Sequence, residues 1–102
     1  MQLIEILLPL RDSDGRPFDA EIWTKVRDEL VEGFGGLTAF TRAPAEGLWE
    51  KKEGERGRDE FVIFEVMAET LDRNWWRAYR EELERRFRQD DIVVRGREIE
   101  RF

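Results

Sequence analysis

The sequence predicts an α+β domain in which two β-α-β units follow one another. Three observations carry this. Apolar residues alternate over two short stretches and run almost unbroken through a third. Two longer segments repeat them at helical spacing. Gly, Pro and acidic clusters separate the segments. A length of 102 residues suits one domain, residues 1–102.

Gln2 to Leu8 is rich in branched residues and reads as the first strand, closed by Pro9. Residues 11–17 carry Asp, Ser, Gly and Pro, the chemistry of a loop. Asp19 is placed as an N-cap. Ile22, Trp23, Val26, Leu30 and Phe34 then follow at helical spacing, until Gly33, Gly35 and Gly36 stop the helix.

Leu37 to Arg42 alternates as a second strand, which Pro44 and Gly47 break by a kink or bulge before Leu48 and Trp49. Lys51 to Arg58 reads as a polar turn. Phe61 to Met67 is apolar on both faces apart from Glu65, the pattern of a central strand. Asp72 caps a second helix whose stripe is Trp75, Trp76, Tyr79, Leu83 and Phe87. Ile92 to Ile99 is the last strand. The order β-α-β-β-α-β is the ferredoxin-like pattern, an antiparallel four-stranded sheet with both helices on one face.

Composition narrows the chemistry. There is no Cys and no His, which removes disulfides, thiol nucleophiles, imidazole triads and the usual zinc sites. No metal and no cofactor is expected. A net charge of −6 argues against a general nucleic-acid partner. No apolar run reaches membrane-spanning length, and no signal-peptide pattern opens the chain, so a cytoplasmic protein is expected. Arg residues crowd the second helix, but Glu81, Glu82 and Glu84 precede Arg85, Arg86 and Arg88 by four, the spacing of a solvated ion-paired face.

Parity splits each strand into two faces. Ile4, Ile6, Leu8, Val62, Phe64 and Val66 are assigned to the helices. The other face collects Leu3, Leu7, Phe61, Ile63, Met67 and Phe40, a patch too apolar for water. Its simplest occupant is a second copy, giving a homodimer or higher even oligomer packed sheet on sheet, with room for a small apolar or anionic ligand.

Glu5 and Glu65 are the acids of that face. Two carboxylates in an apolar field favour retention of a proton, as an acid/base pair requires. Arg95 and Arg97, with Arg42, fall on flanking strands. The alternative is a set of Glu–Arg pairs that fix register at an interface. Trp49 reads as a packing anchor on the hairpin arm or as a wall beside Arg42, which could hold an anion. The catalytic candidates are Glu5 and Glu65; the ligand-binding candidates are Arg42, Trp49 and Arg95.

The arrangement is similar to the dimeric α+β barrel superfamily, whose small ferredoxin-like chains pair through their sheets. Phe34 to Phe40, with Leu48-Trp49 and the next strand, also resembles a group of small bacterial one-domain proteins without an assigned chemistry. The superfamily resemblance implies pairing through the sheet and a pocket between the sheets. Its members include monooxygenases, isomerases, haem-handling enzymes and effector domains. The haem-handling members usually use a His ligand, which this chain lacks.

Overall fold

The computed structural model describes the backbone of residues 1–50 and 56–102, and their side chains except at 42–45, 47–50 and 56–59. Six elements follow in the expected order: β1 (Gln2–Pro9), α1 (Ala20–Phe34), β2 (Thr38–Glu50), β3 (Arg56–Ala68), α2 (Arg73–Phe87) and β4 (Val94–Glu98). The sheet runs β2-β3-β1-β4, with every pair antiparallel. The two strands read as central, β1 and β3, are the central ones.

The core lies on one face of the sheet. Ile4, Ile6, Leu8, Val62, Phe64 and Val66 meet Val26 and Leu30 of α1, and Trp76, Leu83 and Phe87 of α2. All six strand residues assigned to the helix face by parity are buried. Aromatic rings close the layer. Trp23 meets Phe64 and Phe87 edge to face, at interplanar angles of 65° and 64° and centroid distances of 6.0 and 5.2 Å.

The helix ends differ in how their backbone groups are satisfied. Asp72 is a true cap: its Oδ1 accepts the Trp75 N–H at 3.0 Å. Asp19 holds the N-cap position of α1 as expected, but its side chain makes no capping bond. Its backbone carbonyl accepts the Ile22 N–H instead. Gly35 ends α1 in the left-handed region (φ 79°), where its N–H reaches the Val31 carbonyl. In the loop after β1, Asp12 Oδ1 accepts the N–H groups of Asp14 and Arg16, each at 2.9 Å.

The longest departure from the sequence reading is at β2 and β3. Pro44 does not end pairing. β2 runs on to Glu50, and β3 begins at Arg56, inside the stretch read as turn. The break appears as a register shift: Phe40 pairs with Ile63, and the next pairing is Ala45 with Phe61. Five steps along β2 match two along β3, so three residues are taken up in a bulge. Beyond Pro9 of β1 the two strands continue as a ribbon, from Glu46 opposite Glu60 to Glu50 opposite Arg56. β4 is shorter than read. Ile92 is core but precedes the strand, and its N–H is taken by Glu84 Oε2 at 2.9 Å.

Candidate functional site

The uncovered face is built in rows, because cross-strand partners share a side. One row is Phe40, Ile63 and Leu7. Another is Met67, Leu3 and Arg97. Between them runs an ionic row: Thr38, Glu65, Glu5 and Arg95, each opposite the next on neighbouring strands. Phe40 and Met67 are the most exposed of the described apolar residues on this sheet face, at 49% and 43%. Leu3, Leu7, Phe61 and Ile63 are half-buried.

The structure thus brings Glu5, Glu65 and Arg95 into one line. Arg95 Nε lies 3.5 Å from Glu5 Oε1. The Arg95 side chain is 57% exposed, so the contact is a loose surface pair worth about 0–1 kcal/mol. Among the described residues no cation or donor engages Glu65. Arg42 and Trp49 lie outside the described side chains, and no geometry is assigned to them.

Beside Glu65 the sheet opens into a groove of ≈ 390 Å³ where α1 hands over to β2. Leu3, Met67, Phe34 and Leu37 form its apolar walls. Thr38, Glu65, Glu69 and Arg101 supply the polar groups. Thr38, Glu69 and Arg101 were not among the residues singled out by sequence. Thr38 could have been found from register, as it stands opposite Glu65. Glu69 and Arg101 could not, since each arrives from a non-strand segment after its strand has ended.

A second charged cluster sits on the outer surface of the helix layer. Arg86 donates from Nη2 to Glu29 Oε2 at 2.8 Å and from Nε to Glu82 Oε2 at 2.6 Å. Tyr79 donates its hydroxyl to Glu29 Oε1 at 3.1 Å. Hydrogen bonding to Arg86, despite some burial, holds the Glu29 carboxyl below its ordinary range. Arg85 and Arg86 together draw Glu82 down to about 2. Burial, then the Glu29 charge, pushes the Tyr79 phenol up. This cluster is a clamp between α1 and α2. The expected pairing of Glu82 with Arg86 is present, whereas Glu84 turns to the Ile92 backbone instead of Arg88.

Among the described residues no group of three potential ligands stands close enough to hold a metal, and no helix is long and apolar enough to cross a membrane.

These features define an α+β domain of ferredoxin-like topology with one sheet face open. No family model matches the chain, and no curated protein does. Among solved structures, a phage SAM lyase in complex with S-methyl-5'-thioadenosine shares the fold. Its TM-score is 0.65, at 18% identity, over 95% of this chain and 80% of that one. The same lyase in its apo state gives 0.60, at 15% identity, over 94% and 78%. At such identity the likeness is one of fold.

Proposed function

We propose that this chain is a small-molecule-binding domain that works as a self-associated pair, its open sheet faces packed together and its ligand held at the Glu65 end. One observation carries the reading. Glu65 stands without a partner among the described residues, on an apolar face that the helices leave open. A free carboxylate in such a place suits a ligand better than a sealed interface, where an unpaired charge is costly. The sheet face around it suits a second copy, since apolar patches of this kind mark partners.

The structural neighbour holds a thionucleoside, so a nucleoside thioether or its sulfonium relative is the first ligand to test. Composition alone pointed to an apolar or anionic ligand. With Arg95 engaged by Glu5, and with Glu65 and Glu69 lining the groove beside Arg101, a ligand that carries a positive group as well as an anionic one fits better.

Sedimentation equilibrium at micromolar concentration, with calorimetric titration of S-methyl-5'-thioadenosine and S-adenosylmethionine, tests both halves. A dimer or larger even assembly that binds at least one of them is expected. Ile63→Glu should give a folded monomer that binds neither, because it places a charge in the contact. Glu65→Gln should keep the assembly and weaken the cationic ligand about tenfold while sparing the thioether. Chromatography of the S-adenosylmethionine mixture separates binding from turnover. A monomeric chain that binds neither compound overturns the proposal.

A further inference from the structure

Trp75 is in the wrong place for a core residue. The helical stripe of α2 assigns it to the interior, yet it is 40% exposed. Its neighbour Trp76 is buried. Trp75 and Trp76 meet at 86°, with centroids 4.8 Å apart. Phe34, from the end of α1, stacks on Trp76 at 5.1 Å and stands at 76° to Trp75. The three rings make a right-angled corner. Tyr79 stacks on Trp75 at 4.9 Å and is itself hydrogen-bonded to Glu29, so the exposed indole is braced.

This corner lines a groove of ≈ 570 Å³ between the end of α1 and the start of α2. Its charged lining residues are Glu69 and Asp72, and no Lys or Arg lines it among the described residues. Gly33 also lines it. A Cβ added there would meet nothing within 4 Å, and Ala is the better helix former inside α1. Packing within the chain therefore gives no reason for a glycine, whereas a ligand in the groove does.

We infer that this groove binds an alkylated ammonium group, of the quaternary or trimethylated kind. Aromatic faces attract a cation through the negative face of the ring. They offer no acceptor, so an ammonium rich in N–H groups would lose water without replacement, and an alkylated one would not. The two rim carboxylates add long-range attraction. The groove shares Phe34, Met67 and Glu69 with the one beside Glu65, but Trp75 and Trp76 line this one and not that, and the inference rests on them rather than on the open-face reading.

The test uses choline and its neutral isostere 3,3-dimethyl-1-butanol on the full chain, followed through the four indole N–H signals in nitrogen-15 spectra. Choline is expected to move the Trp75 and Trp76 signals saturably, and the isostere to bind about tenfold more weakly. Trp75→Ala and Glu69→Gln should each weaken choline, with the dispersion of the remaining amide signals checking that each variant is folded. Gly33→Ala should raise the thermal midpoint while weakening choline, a pairing that a purely structural glycine would not produce. Glu65→Gln should leave choline binding unchanged. Equal binding of the isostere, immobile Trp75 and Trp76 signals, or full affinity in Trp75→Ala overturns the inference.

Discussion

Glu5 and Glu65 stand directly opposite each other on the two central strands, yet among the described residues only Glu5 has a cation beside it. Directly opposed like charges weaken an antiparallel pair by roughly 0.2–1 kcal/mol. Without ligand, then, Glu65 costs the fold something. Glu65→Gln is expected to stabilise the free protein by about 0.5 kcal/mol in urea unfolding. Glu5→Gln should be close to neutral, since relief of repulsion is offset by the loss of its Arg95 contact. A Glu65→Gln protein less stable than wild type would show that the carboxylate has a structural role instead.

The helix clamp makes stability depend on pH at both ends of the scale. Glu29 and Glu82 have folded-state pKa values below their ordinary 4.5, about 2 for Glu82. Their contribution is present above pH 4.5 and is lost as pH falls toward 2. Tyr79 is shifted the other way, so its contribution is complete below pH 10 and declines as pH rises beyond it. Arg86→Met should cost about 1.5–3 kcal/mol at neutral pH and flatten the acid limb. Thermal midpoints measured across the pH range check this; an unchanged acid limb in Arg86→Met would contradict it.

Two aspartates at N-cap positions should respond differently to the same change. Asp72→Ala removes a capping bond to Trp75 and is expected to cost about 1 kcal/mol. Asp19→Ala removes no such bond and should cost far less. Chemical denaturation of both variants against wild type gives the comparison, and equal losses would refute it.

Gly35 isolates a backbone effect. An added Cβ would meet nothing within 4 Å, so sterics in space do not oppose it. The left-handed conformation does. Gly35→Ala is expected to lower stability by about 1–2 kcal/mol with the core unchanged. Neutral or stabilising behaviour would mean that the end of α1 can relax into another conformation.

Much of the fold was legible because periodicity and burial agree. The alternate residues of β1 and β3 sort onto the two faces as parity demands, and the α2 stripe finds its core apart from Trp75. The misreadings have physical sources. The bulge expected near Pro44 is present, but pairing resumes at Ala45 instead of ending, since β2 is an edge strand where a missing donor is tolerated. Ile92 reads as strand because it is apolar, yet its N–H is satisfied by a carboxylate rather than by the ladder. Of the site candidates, Glu5, Glu65 and Arg95 do come together, since register follows from parity once strand order is known. The Glu29–Arg86 contact was out of reach, because its two ends lie 57 residues apart and no local spacing links them.

The slack in β2 has a consequence for how the chain can change length. β3 carries an unbroken register with β1, and the three surplus residues sit wholly in the outer strand. An insertion or deletion between Phe40 and Ala45 would therefore be absorbed at the rim while the central pair stayed in place. Descendants of this chain have a point at which the projecting ribbon can be re-aimed by one genetic event, with no residue of the interior disturbed. An engineer has the same opening: a foreign loop grafted there should be carried as a passenger.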